Sequence, residues 1–319
     1  MKNLKKTSII ITILSFLSFF TSANAEIKVV ASIKPIHSLV SYLMDGVSKP
    51  SLIVDGYASP HGFALKPSHA KMLQEADIIF WVGEDLENFL EKPLTSIAKK
   101  AEKIELMEAH GLNKLKFREI NIFDDHDDHG HEDGHKKKDE HDDHDDHEGH
   151  HHGEFDPHIW LDPINASAIL KEMTEHLIEN DSKNASKYKN NLNKALKDID
   201  KLTADVKSEL NQSVASIVFH DAYQYFEERF NVNILGAFTV NTDVMPGAEQ
   251  LAEIREIIEH DNVACVFSEP QFNPDIIKAV AKDMNIKTGV VDPLGATLKP
   301  GKNLYFDLIR NMSASFKGC

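Results

Sequence analysis

Short apolar runs and longer amphipathic stretches alternate along most of this 319-residue chain. Continuous apolar runs bounded by Gly, Pro or polar clusters suit buried strands, and apolar residues spaced by three and four suit helices. The N-terminal half thus predicts strands over 27–32, 51–54, 77–82 and 103–106. Helices are expected from Pro35 to about 45, from Pro67 to about 75, and over 85–99. Proline in the first helical turn loses no hydrogen bond, which fits Pro35 and Pro67. Strands at 216–219, 232–238, 263–267 and 286–291 repeat the rhythm in the C-terminal half, with helices over 222–230, 246–260, 275–284 and 303–316. Between the halves, 185–210 has almost no breakers, and Leu192, Leu196, Ile199, Leu202, Val206 and Leu210 share one helical face.

Strand–helix alternation implies parallel sheets with crossover helices. The expected architecture is α/β: two lobes, each a mainly parallel sheet with flanking helices, joined by one long helix. The expected boundaries are 26–183 for the first lobe, 184–212 for the linking helix and 213–319 for the second lobe.

Two segments break the rhythm. Residues 1–25 read as an export signal. Lys2, Lys5 and Lys6 are followed by an apolar stretch from Ile9 to Phe20, too short to span a bilayer, and by Ala23-Asn24-Ala25, a small-residue cleavage site. Cleavage after Ala25 would leave an exported, periplasmic protein. The second break is an acidic insertion over 124–154. It carries fourteen Asp and Glu against three Lys, and ten of the chain's 18 histidines: His126, His129, His131, His135, His141, His144, His147, His150, His151 and His152. With almost no apolar residues it cannot offset the entropy of ordering, so disorder is expected. Imidazoles among carboxylates point to a transition metal, held weakly because such a run has no fixed shape. Within it His131-Glu132-Asp133-Gly134-His135 fits a metalloprotease pattern. That chemistry needs an apolar-faced helix, which this segment does not have.

The formal charge of −16 argues against nucleic acid and anionic membrane surfaces as partners. The only cysteines are Cys265 and Cys319. An oxidising compartment favours a disulfide between them, two free thiols being the alternative.

In parallel α/β sheets, ligands bind beyond the carboxyl ends of the strands. Polar residues expected there are His61 in GYASPHGFALKPS, His220 in IVFHDAYQYF, Glu269 in CVFSEPQF and Asp292 in VVDPLG. His158 in DPHIWLDP lies where the chain re-enters the first lobe. Three imidazoles with a carboxylate or water would suit Zn²⁺, and an oxygen-richer set Mn²⁺. Glu269 is expected to be structural, held beside Pro270. Asp292 is either a ligand or an acceptor for loop amides. Asp221 is the better helix cap than His220. His37, His69, His110, His176 and His260 fall in or beside helices without a shared location and read as ordinary structural histidines.

Together these segments, with VVASIKPIHSLV near the start, the His-rich insertion and the two late cysteines, resemble the metal-binding cluster of ABC-importer substrate-binding proteins. The zinc-uptake (ZnuA-type) branch is most similar, over the whole mature chain. The resemblance implies zinc ligands at His61, His158 and His220. It implies an acidic fourth ligand just before the first His in some members; here that position is Pro60, which leaves Asp292 or water. It further implies a monomeric carrier, not an enzyme, with Zn²⁺ as transported ligand and no organic cofactor. Its partners would be an inner-membrane permease and a cytoplasmic ATPase. A manganese importer subunit and a stand-alone zinc buffer are the alternatives.

Overall fold

The computed structural model describes residues 26–118, 120–122, 153–210, 214–240, 242, 246–282, 284 and 286–319. The expected leader and all ten insertion histidines lie outside the described residues.

The first half contains β1 (Val29–Ala31), α1 (Lys34–Leu43), β2 (Ser51–Leu52), α2 (Pro67–Glu75), β3 (Ile78–Trp81), α3 (Glu84–Ser96) and β4 (Glu102–Glu105). Then come α4 (Pro163–Asn180) and α5 (Ala185–Glu209). The second half contains β5 (Ser216–His220), α6 (Gln224–Phe230), β6 (Ile234–Thr239), α7 (Ala248–His260), β7 (Cys265–Ser268), α8 (Asp275–Ala281), β8 (Lys287–Val290) and α9 (Leu304–Lys317). The strands form two parallel four-stranded sheets, ordered β2-β1-β3-β4 and β6-β5-β7-β8. All four residues of β3 and all five of β5 are buried, as expected of strands covered by helices on both faces.

Helix α4 was absent from the expected elements, although its start is legible. Asp162 caps it by accepting from the Ile164 amide at 2.8 Å, and Pro163 fills the first turn. The long helix α5 forms as expected, burying Tyr188, Ala195, Ile199, Leu202 and Val206. It is not alone in crossing between the lobes. Helix α9 follows the second sheet yet packs against α1 and α5, while its Phe316 meets Tyr223, Phe226 and Phe267 of the second lobe. Apolar residues of both lobes therefore join in one continuous core, and a smaller core lies under α7 and α8. Cys319, just past α9, is disulfide-bonded to Cys265 of β7, with Cα atoms 5.9 Å apart, so the expected pairing forms.

Polar contacts also tie the lobes together. Arg229 of α6 grips the Asp162 carboxylate with two hydrogen bonds of 2.7 and 2.6 Å. The Trp160 indole donates to the Pro293 carbonyl at 2.8 Å. The buried Lys34 ammonium donates to the carbonyls of Gly295, Ala296 and Leu298 at 3.1, 2.8 and 3.0 Å. Lys34→Met keeps the apolar stem and leaves three carbonyls without their charged donor. It should cost about 2–3 kcal/mol in urea unfolding; an unchanged unfolding midpoint would show that the contact contributes nothing.

The described ends of the insertion are anchored on different lobes. Ile122 forms an antiparallel bridge with Gly236 of β6, and the Ala237 amide donates to the Asn121 carbonyl at 2.8 Å. A side chain at Gly236 would place its Cβ 2.6 Å from that carbonyl oxygen, so the close approach requires glycine. On the far side, the Gly153 amide donates to Asp85 in the first turn of α3.

Candidate metal centre

Both sheets change direction of strand order beside their first strand, between β1 and β3 and between β5 and β7. Such switch points are where open α/β sheets leave a crevice. In the first lobe the crevice is filled from within. Glu87 is fully buried there, and one carboxylate oxygen accepts the amides of Val82 and Gly83 at 2.8 and 3.0 Å. Burial pushes its carboxyl up to about 7. In the second lobe the switch point carries chemistry. His220 is the last residue of β5, and Glu269 follows directly after β7.

The first lobe supplies its histidines from loops. His61 lies in the irregular segment after β2, where its amide donates to the Ser59 hydroxyl at 3.2 Å. His158 precedes a single 3₁₀ turn over Ile159–Leu161 that leads into α4. The candidate ligand atoms of His61, His158 and His220 all lie within 4.8 Å of one another. His158 and His220 are buried, and His61 is half-buried. Three residues separated by 97 and 62 positions in sequence thus converge where the lobes meet.

The outer ring nitrogens have carboxylate partners. His158 Nδ1 donates to Asp156 at 2.7 Å, and His220 Nδ1 donates to Glu269 at 2.7 Å. This fixes each ring and leaves both Nε2 atoms facing inward, 3.4 Å apart. Tetrahedral zinc with Zn–N bonds of 2.0–2.1 Å requires adjacent nitrogens about 3.3–3.4 Å apart. The pair already has that spacing. The cavity beside them has a volume of about 10 Å³, the space of one water molecule.

The electrostatics divide the two rings. Burial, helped by the neighbouring His220, holds the His158 imidazole well below its ordinary value, so it is neutral. Burial also works against a charged His220, but Glu269 on its Nδ1 and the nearby Asp221 and Asp156 outweigh it and raise its affinity for a proton. Asp156 is pushed up to about 7 by burial, and so is Asp221, despite its 3.1 Å contact with Arg118.

Of the two roles expected of Asp292, the structure shows the contacts of an acceptor for loop amides. Its carboxylate accepts the amides of Leu294, Gly295 and Ala296 at 3.1, 3.0 and 2.6 Å and the Gln271 side chain at 2.9 Å. A tight turn follows immediately after β8, and its exposed amides capture the nearest carboxylate. Asp221 is not a helix cap; it pairs with Arg118, which also binds Glu227 at 2.8 Å. Asp156 and Gln271 were missed. Asp156 had a usable signal, since a ligand imidazole needs an acceptor on its outer nitrogen and Asp156 stands two residues before His158.

The other described histidines behave structurally. His37 Nε2 contacts the Pro50 carbonyl, and His69 Nδ1 accepts the Lys66 amide at the start of α2. His110 and His260 are exposed. His176 shares a second cluster with Glu102 and Glu179. Both of its ring nitrogens are occupied there, by Glu102 at 2.8 Å and Glu172 at 3.3 Å, as in a surface ion-pair network.

These features define a two-lobed solute-binding protein with a candidate metal centre at the lobe junction. The family model described as zinc-uptake complex component A, periplasmic (ZnuA) matches residues 29–319, and the chain belongs to that family. The high-affinity zinc uptake system protein ZnuA of Brucella abortus is 45% identical over 332 residues, covering 100% of this chain and 99% of the relative. The Yersinia pestis protein of the same name is 35% identical, covering 92% of each chain. The fold is similar to a crystal structure of ZnuA, with TM-score 0.72 and 20% identity over 91% of this chain and 99% of that one. It is also similar to the laminin-binding protein Lmb of Streptococcus agalactiae, with TM-score 0.71 and 20% identity over 91% of this chain and 99% of that one.

Proposed function

We propose that this protein captures Zn²⁺ in the periplasm with high affinity and delivers it to the permease of an ABC importer, whose ATPase drives transport. His61, His158 and His220 are the ligands, and the metal bridges the lobes. The observation that carries this reading is the inward Nε2 pair of His158 and His220, 3.4 Å apart, with a carboxylate behind each ring. Membership of the zinc-uptake family supports the choice of metal and of transporter partners. Nitrogen donors favour zinc, whereas manganese prefers oxygen, and here the carboxylates sit behind the imidazoles. Membership of a zinc-uptake family supports a carrier and not an enzyme, and no helix among the described residues is long and apolar enough to cross a membrane. Export through the 1–25 leader with cleavage after Ala25, and action as a monomer, complete the reading.

Zinc and a proton compete for the His220 imidazole. Because Glu269 raises His220, affinity should start to fall at a pH above the ordinary imidazole value of about 6.5. It should lose up to about tenfold per pH unit for each proton displaced as acidity increases, with a plateau on the alkaline side. Competitive titration of zinc against a chelator between mildly acid and mildly alkaline pH checks this. Affinity that stays flat across the range would contradict three-imidazole ligation.

A further inference from the structure

Gln271 lies three residues beyond the end of β7 and lines the small cavity together with His61, His158 and His220. Its orientation is settled by its neighbour. Asp292 can only accept when ionised, so the Gln271 nitrogen must face it, and Nε2 does so at 2.9 Å. The same Asp292 oxygen also receives the Leu294 and Gly295 amides, which pins the carboxylate in turn. The Gln271 carbonyl oxygen must therefore point away from Asp292. That oxygen is buried and has no hydrogen-bond partner among the described residues. A buried carbonyl without a donor is costly, and native structures rarely tolerate one without a reason.

We propose that Gln271 is the residue that sets the fourth coordination position: its Oε1 accepts a hydrogen bond from a water molecule bound to the captured metal. This rests on the three-histidine reading above. A metal held by three neutral imidazoles has one tetrahedral position left, and a water there becomes a strong donor. The small cavity lined by the three histidines and Gln271 holds one water-sized guest beside the metal position, and the buried Gln271 Oε1 is an acceptor belonging to that lining. Asp292 then acts on the metal at second hand, by holding the amide that holds the water. This accounts for a carboxylate that stands close to the cluster in the fold without joining it. Gln271 is a positioning residue for a water ligand, and it is neutral, so it adds no charge that would favour a harder cation.

The test compares wild type, Gln271→Met, Gln271→Ala and His220→Ala by chelator competition with zinc and by visible absorption with Co²⁺ in its place. Gln271→Met keeps most of the volume and removes the acceptor. Outer-shell partners typically govern metal affinity by about 10–100-fold, so both Gln271 variants should bind zinc at least about tenfold more weakly. Their Co²⁺ spectra should keep the wild-type band positions and four-coordinate intensity, because no ligand has been removed. Affinity within twofold of wild type in both variants would overturn the inference. So would a changed Co²⁺ ligand field, which would make Gln271 itself a ligand. Retention of tight zinc binding by His220→Ala would instead overturn the underlying site. A loss there with unchanged Gln271 variants leaves the site intact and removes only the role of Gln271.

Discussion

His220→Ala raises the zinc dissociation constant by roughly 1000-fold or more, beyond the about 100-fold upper range for losing an outer-shell partner. The size of the effect follows from where His220 stands. It supplies one of two nitrogens already at zinc spacing, and it is the candidate ligand contributed by the second lobe. Without it, two imidazoles from the first lobe remain, and the metal no longer bridges the lobes. The vacated Glu269 carboxylate is buried beside the gap, so the variant also tests its supporting role. Glu269→Gln retains a hydrogen-bond partner for Nδ1 and loses the charge, and should weaken binding by about 10–100-fold. Competition with a chelator of known affinity gives both numbers. A Glu269→Gln loss larger than that of His220→Ala would mean that the carboxylate is itself the ligand.

The second large effect is thermal. A metal that binds only the folded protein stabilises it by about 4 kcal/mol when free zinc is 1,000 times the dissociation constant. For a domain of this size class each kcal/mol shifts Tm by about 2–4 °C, so zinc should raise Tm by roughly 10 °C. His61 and His158 sit on loops of the first lobe and His220 at the end of a strand of the second, so with the proposed ligation heat has to separate all three to release the metal. Scanning calorimetry with and without zinc reads the shift directly. His220→Ala should melt near the metal-free wild type and show little response to zinc. An equal zinc shift in that variant would place the stabilising metal elsewhere in the chain.

The two-lobe α/β plan was legible because buried parallel strands carry little besides apolar residues, and β3 and β5 read that way directly. The convergence of the three histidines was legible because each closes or follows a strand or sits at a chain re-entry, the places that face the crevice between the lobes. What escaped was set by contacts distant in sequence. The path of α9 back onto α1 and α5 depends on packing against helices that end 95 or more positions earlier in the chain. Asp292 read equally as a ligand or as an acceptor for loop amides, and its contacts with the amides of Leu294, Gly295 and Ala296 are those of the second role. Gln271 carries no signal in one dimension, since its role depends on which of its two amide atoms faces Asp292. The insertion was legible only as composition. Its described anchors are more informative, because they place one end on β6 and the other beside α3.

The central claim is that the tight site belongs to the folded lobes and not to the histidine-rich insertion. Calorimetric zinc titration of a chain lacking residues 124–152 tests it most directly. The account predicts one tight site of unchanged affinity, with only weaker additional binding lost. Disappearance of the tight site from a protein that remains folded would contradict it.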